Sequence, residues 1–250
     1  MSETSANAAR PHHRLSVDAR LGALHLHVQL NLTAPWTVIF GPSGSGKSSV
    51  LRAACGLLNP GTAEFSECSA TTAGWIEVES LRHATPPHLR SVGYAPQGAV
   101  LFPHLSVREN VAFAATARRR QAANTKIIDA AIELFELGAL ADRMPHDLSG
   151  GERQRVNLAR AFAVPAARLM LLDEPFTGFD RGLRDTLLPR MQQRIAQLGV
   201  PVISVTHDVE EALLLGAEVI RLEQGAVIAQ GPAAQVLAEE RAHMLSVLQS

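Results

Sequence analysis

A short apolar run, Trp36 to Phe40, leads directly into Gly41-Pro42-Ser43-Gly44-Ser45-Gly46-Lys47-Ser48, and helix-forming residues continue from Ser48 to about Cys55. A short apolar run bounded by Pro35 and Gly41 is expected of a buried parallel strand. The octapeptide matches G-x-x-x-x-G-K-[ST] in the strand–loop–helix setting that a phosphate-binding loop requires. Its glycines let the backbone N–H groups wrap phosphates. Lys47 reaches β- and γ-phosphates, and the Ser48 hydroxyl binds Mg²⁺. The candidate cradle is Gly41, Pro42, Ser43, Gly44, Ser45, Gly46, Lys47, Ser48 and Ser49. Alone the motif says nucleoside triphosphate binding and leaves kinases and GTPases open. A chance Gly/Ser loop is the plain alternative.

A second stretch, Leu148-Ser149-Gly150-Gly151-Glu152-Arg153-Gln154-Arg155, reads as the start of a helix running to about Ala163. Ser149 and Glu152 have the spacing of a capping box. Gly150 and Gly151 leave the helix start bare, and bare N–H groups at the positive end of the macrodipole favour an anion. Glycine costs about 1 kcal/mol in a helix, so a pair in the first turn implies that something large and negative comes close. An ordinary capped helix is the bland reading.

Composition bounds the rest. At 250 residues the chain suits one large or two small domains. It can bury roughly 70–75% of its unfolded surface. A formal net charge of −1 argues against an autonomous nucleic-acid binder. Cys55 and Cys68 make no C-x-x-C pair, so neither a zinc site nor a disulfide framework is expected. No apolar run reaches the length of a membrane span. The first 14 residues are polar and small, and read as a disordered tail, not a signal peptide.

Taken in order, Leu15 to Ala19 and the alternating stretch Leu24 to Leu32 predict an antiparallel hairpin around Gly22. Residues 59–91 read as irregular, with turns at Asn59-Pro60-Gly61 and Pro86-Pro87. Val92 to Ala95 is a further strand ending at Pro96-Gln97. Leu101-Phe102-Pro103-His104 is an unusually apolar loop, either ordinary packing or a patch for a partner. From Ser106 the pattern is helical, opening on a second capping box with Glu109. Arg118-Arg119-Arg120 reads as a solvated helix end. Leu169 to Leu172 is a buried strand closed by Asp173-Glu174-Pro175, which puts two carboxylates where open α/β sheets bind ligands. His207-Asp208 repeats that arrangement after Val202 to Val205, with a helix-capping turn as the alternative. Glu218 to Leu222 and Ala226 to Ala229 predict a second hairpin around Gln224-Gly225.

These motifs, in this order and approximate spacing, resemble those of ABC transporter ATPase subunits over about Leu15 to Gly231. The resemblance implies an α/β fold: a P-loop NTPase (RecA-like) core over 15–103 and 165–250, an antiparallel β subdomain, and an inserted helical signature subdomain over 104–164. It implies ATP and Mg²⁺ as cofactors and an ATPase coupled to transport. Asp173 would position Mg²⁺ with Ser48, and Gln97 would touch the metal and the attacking water. Glu174 resembles the general base, and His207 the group that keeps γ-phosphate and base in register. Lys47, Gln97, Glu174 and His207 form the catalytic set.

The resemblance also implies a homodimer. The signature helix of one subunit would cover the ATP of the other, so Ser149, Gly150 and Gly151 complete the partner's site and Asp180 lies across the seam. Residues 92–111 and 184–231 are most similar to molybdate-importer members of the family. A membrane permease would then dock near Leu101–His104, with a periplasmic or extracellular substrate-binding protein acting indirectly. The subunit would sit peripherally on the cytoplasmic face of the inner membrane, without nucleic acid. Three readings stay open: a molybdate or related oxyanion importer, an importer of another substrate (sulfate, metal ion, sugar), and a soluble ABC ATPase outside transport. The last expects a long coiled-coil insertion or two motif sets, and neither occurs.

Departures from the family pattern are expected to matter. No aromatic residue occurs before Trp36, where the family stacks adenine near Val17 to Arg20, so base recognition should be weak. Gly178 replaces a commoner Ala or Ser. The C-terminal oxyanion-binding domain of many molybdate-type members is expected to be absent.

Overall fold

The computed structural model describes residues 13–58, 75–77, 86–116, 121–215 and 217–248. The expected tail up to residue 12, the Asn59-Pro60-Gly61 turn, Cys68 and the Arg118-Arg119-Arg120 helix end lie outside the described residues.

Nine strands form one sheet among the described residues. β1 (His13–Leu21) and β2 (Leu24–Leu32) pair antiparallel around Gly22, with Val17 opposite Val28. β1 therefore opens at His13, inside the stretch expected to be tail. β3 (Trp36–Phe40), β5 (Val92–Ala95), β6 (Leu169–Asp173) and β7 (Val202–Thr206) run parallel. β8 (Glu218–Glu223) lies parallel to β3 and turns back antiparallel into β9 (Ala226–Pro232). Residues 59–91 are not wholly irregular, because β4 (Trp75–Glu77) pairs antiparallel with β1 at Arg14–Ser16. Pro87–Leu89 forms a 3₁₀ turn within the same stretch.

β3, β6 and β7 are buried at every position, as strands covered on both faces must be. Their side chains alternate between two cores. Ile39, Leu169, Leu171, Ile203 and Val205 pack with α1 (Lys47–Cys55) and the β1–β2 hairpin. Val38, Met170, Leu172 and Val202 pack beneath the helices on the other face. That second core runs without interruption into α2 (Val107–Thr116), α3 (Gln121–Leu134) and α4 (Gly150–Phe162), so the helical block shares the sheet's core. α5 (Arg181–Leu198) and α6 (Val209–Leu214) follow β6 and β7, and α7 (Ala233–Val236) and α8 (Ala238–Leu248) close the described chain.

Both capping boxes form. The Ser149 N–H donates to Glu152 Oε2 at 2.7 Å and the Glu152 N–H to Ser149 Oγ at 3.2 Å. The Ser106 N–H donates to Glu109 Oε2 at 2.8 Å and the Glu109 N–H to Ser106 Oγ at 3.3 Å. Each box satisfies donors that a helix start leaves open.

Candidate functional site

Sheet register decides what meets. Phe40 lies opposite Thr206, and Val205 opposite Asp173. The loops after β3, β6 and β7 therefore leave adjacent strands at one edge, the carboxyl end where open α/β sheets hold ligands. They carry Gly41–Ser48, Asp173-Glu174 and His207. β5, beside β6, delivers Gln97 to the same edge, since Ala95 lies opposite Leu172.

The glycine loop is shaped by its neighbours. A Cβ on Gly41 would fall 2.1 Å from the Leu222 carbonyl oxygen, and one on Gly46, at φ 101°, would fall 2.9 Å from Leu26 Cδ1. Gly41 is thus needed for packing against backbone, and Gly46 for its left-handed φ. Gly44, at φ 80°, faces open space. Lys47 is buried and donates to the carbonyls of Gly41 at 2.7 Å and Pro42 at 2.8 Å, folding its ammonium back over the loop. Burial pushes its pKa down, against the pull of Glu174 and Asp173. Ser45 Oγ is buried without a hydrogen-bond partner. The N–H groups of Lys47, Ser48 and Ser49 open α1, where no intrahelical acceptor reaches them. An open cradle, an ammonium and unspent donors fit a polyphosphate.

Ser48 Oγ donates to Asp173 Oδ1 at 3.0 Å, joining residues 125 positions apart. Burial raises the Asp173 pKa, Glu174 adds to this, and the Ser48 hydroxyl, Lys47 and the Gln97 N–H oppose it. Two hard oxygens suit Mg²⁺, which binds through one or two protein groups plus phosphate and water. The Gln97 side chain is exposed.

Glu174 adopts φ 49°, a left-handed conformation unusual for a non-glycine residue. Its N–H donates to the Val205 carbonyl at 2.9 Å. Its Oε1 lies 3.0 Å from His207 Nδ1, and its Oε2 accepts from the Thr177 hydroxyl at 3.3 Å. An ionised carboxylate only accepts, so in that state Nδ1 carries the proton. The strained backbone is over-determined from both sides, a pattern typical of functional loops.

Two residues that sequence reading missed hold these loops. Gln154 donates to the carbonyls of Glu174 at 3.2 Å and Pro175 at 2.9 Å, and Asn157 donates to Pro96 at 2.8 Å. Both are buried on α4. Their signal was polar side chains on a helix's apolar face, legible only once that face was known.

Ser149 and Gly150 are exposed. A Cβ on Gly150 would meet nothing within 4 Å, whereas one on Gly151 would lie 2.9 Å from the Gly178 carbonyl oxygen. The two glycines therefore differ: Gly151 is bare for its own chain's sake, and the single anion explanation does not cover it. Asp180 caps α5, accepting from the Leu183 N–H at 2.8 Å.

The apolar loop borders a groove of about 430 Å³, lined by Leu57, Tyr94, Val100, Phe102 and Phe113 among others. The ring centres of Phe102 and Phe113 lie 4.2 Å apart, and the Arg160 guanidinium sits 5.5 Å from the Phe102 ring centre. No helix among the described residues is long and apolar enough to cross a membrane.

Residues 26–177 match the family profile described as ABC transporter. The chain is 40% identical over 216 residues to the molybdenum import ATP-binding protein ModC of Rhodopseudomonas palustris, covering 85% of this chain and 55% of the relative. It is 40% identical over 196 residues to the Fe(3+) ions import ATP-binding protein FbpC of Pseudomonas fluorescens, covering 78% of this chain and 53% of the relative. The chain thus spans about half the length of the curated relatives it matches. Its fold is similar to a dimeric post-hydrolysis state of the ATP-binding cassette MJ0796 bound to ADP and Pi, with TM-score 0.72 and 26% identity over 88% of this chain and 98% of that one. The ATP binding subunit of an ABC transporter shares the fold at TM-score 0.75 and 24% identity, over 91% of this chain and 92% of that one.

Proposed function

The chain belongs to the ABC transporter family, and from that premise we propose that it is the ATP-binding and ATP-hydrolysing subunit of an importer. The reading rests on one observation: Lys47, Ser48, Asp173, Glu174 and His207 meet at one sheet edge, with Ser48 bonded to Asp173 and His207 set against Glu174.

Mg²⁺, when bound, would supply charge neutralisation at the phosphates. The chain's own residues do the rest. The loop from Gly41 to Ser49 binds the phosphates, and Lys47 swings from its carbonyl partners to the terminal ones. Ser48, Asp173 and Gln97 would hold Mg²⁺. Glu174 takes the proton of the attacking water, and His207 keeps that carboxylate aimed. Phosphoryl transfer needs chiefly such positioning.

We place the working unit as a homodimer sharing two ATPs. Ser149 accepts from Glu152 through its oxygen, which leaves its hydroxyl hydrogen to donate to a phosphate on the partner. Gly150 is open and exposed, as a docking surface must be. Gly178, two residues before Asp180, lies against Gly151. A permease would dock on the groove beside Leu101–His104, where Val100 is 66% and Phe113 48% exposed. The subunit is then peripheral to the cytoplasmic face of the inner membrane and reaches a periplasmic or extracellular substrate-binding protein only through the permease. The cargo is molybdate or a related oxyanion, by analogy with the molybdenum-import relatives. An iron-import relative of equal identity keeps a metal-ion cargo as the second reading.

Glu174→Gln tests the core of this. The amide cannot accept the water's proton, so ATP binding should persist while phosphate release falls by about 10²–10⁴. Hydrolysis above about a tenth of the wild-type rate would contradict the base assignment.

A further inference from the structure

Glu211 is a buried acid that the proposed chemistry does not use. It sits in the first turn of α6, one turn beyond His207, and is 4% exposed. Its Oε2 accepts from the Thr206 hydroxyl at 2.8 Å. Thr206 Oγ1 in turn accepts from the Asp208 N–H at 3.0 Å. The Glu211 N–H donates to Asp208 Oδ1 at 3.2 Å. Residues 206, 208 and 211 therefore lock the corner that presents His207. Glu211 Oε1 is buried with no partner.

We propose that Glu211 is a positioning residue: as a neutral acid it anchors Thr206, and through that corner it holds His207 against Glu174. The inference rests on the ATPase reading above. A buried carboxylate needs several donors, and this one has a single hydroxyl. An unpartnered neutral oxygen costs far less than an unpartnered charge. The charges around it favour the neutral form. Asp208 on the cap and Glu174 across the site repel an anion, and Arg184 of α5 attracts one. Arg184 is shared among other carboxylates, 3.1 Å from Glu210, 3.6 Å from Asp185 and 3.9 Å from Asp208. α7, packed beside α6, brings no titratable side chain. Burial, chiefly, pushes the Glu211 pKa up to about 8, against the Thr206 hydrogen bond, which favours the anion.

Phosphate release and imidazole NMR test this together. Glu211→Ala should lower kcat by about tenfold or more, since small misplacements at a reacting site cost up to about 10²-fold, with KM for ATP little changed. Glu211→Gln keeps the Thr206 acceptor without a charge and should restore most of kcat at pH 7. The wild-type rate should fall against that variant between pH 7 and 9. Thr206→Val removes the same anchor and should repeat the alanine defect, which guards against a fold-specific failure of Glu211→Ala. In nucleotide-free protein, the ¹⁵N shifts of His207 should report its hydrogen bond in wild type and Glu211→Gln, and lose it in Glu211→Ala. A folded Glu211→Ala with more than half the wild-type kcat, a glutamine variant as poor as alanine, or unchanged His207 shifts in Glu211→Ala would overturn the proposal. If the wild type hydrolyses no ATP, the ATPase reading fails by itself and the His207 shifts decide the positioning role.

Discussion

The Gln154 side-chain amide donates to the backbone carbonyl of Glu174 at 3.2 Å and to that of Pro175 at 2.9 Å. A residue of α4 thus fixes the loop that carries Glu174, the proposed general base, at the point where φ is 49°. Asn157, one turn on, fixes the loop before Gln97 through Pro96. α4 therefore bears at once on the loops that carry Glu174 and Gln97, so a movement at its exposed start could reach both.

Gln154→Ala should take the side-chain donor from the buried Pro175 carbonyl and leave the Glu174 carbonyl only the Thr177 N–H at 3.3 Å. Thermal denaturation should show a loss of about 1–3 kcal/mol. Phosphate release should show kcat falling more than KM changes, because the loop that places Glu174 is loosened. A variant with wild-type kcat would mean that the positive φ holds without Gln154.

Gly150 and Gly151 should respond oppositely to alanine. Gly150 has open space and no positive φ, so Gly150→Ala should raise stability by up to about 1 kcal/mol. Gly151→Ala meets the Gly178 carbonyl oxygen at 2.9 Å and should destabilise by about 1–3 kcal/mol, as overpacking does. Gly150→Ala should nonetheless lose hydrolysis in the assembled dimer, since its methyl would stand where the partner's phosphate docks. Full hydrolysis by this stabilised variant would place the docking surface elsewhere.

What the sequence made legible is local. The glycine loop, both capping boxes and both hairpins depend on residues a few positions apart, and each formed as read. β4 did not declare itself, because three residues become a strand only by pairing with Arg14–Ser16 far up the chain. The pairing of Ser48 with Asp173 was legible through the family resemblance. The reason for Gly151 was not, because it lies in Gly178, on another loop. Glu211 carries no motif, and its burial comes from packing that no periodicity reveals.

Glu211 gives a pH-dependent stability. Its pKa is raised in the folded chain to about 8 from an unfolded value of about 4.3. Between these values the native state binds more protons than the unfolded one, so stability falls as pH rises. The contribution is fully present below the lower value and lost through the upper. Glu211→Gln does not titrate. Its melting temperature should therefore gain on the wild type steadily from pH 5 to pH 8 in nucleotide-free protein. A constant difference across that range would show that Glu211 is ionised throughout.

The shared site can be tested by mixing two dead enzymes. Ser149→Arg puts a long side chain where the partner's γ-phosphate should dock, and Lys47→Ala damages the phosphate loop of its own chain. Each homodimer should be nearly inactive, for different reasons. In a mixed dimer one site combines both lesions, and the other combines intact Lys47 with intact Ser149. Phosphate release from equimolar mixtures, allowed to exchange subunits, should therefore recover in part. A self-contained site predicts no recovery, since every chain carries its own lesion. Failure despite demonstrated exchange would leave two explanations, a wrong geometry or a requirement for two working sites. A disulfide formed between Ser149→Cys on one protomer and Ser43→Cys on its partner would keep the geometry and point to the second, and its absence would reject the shared site.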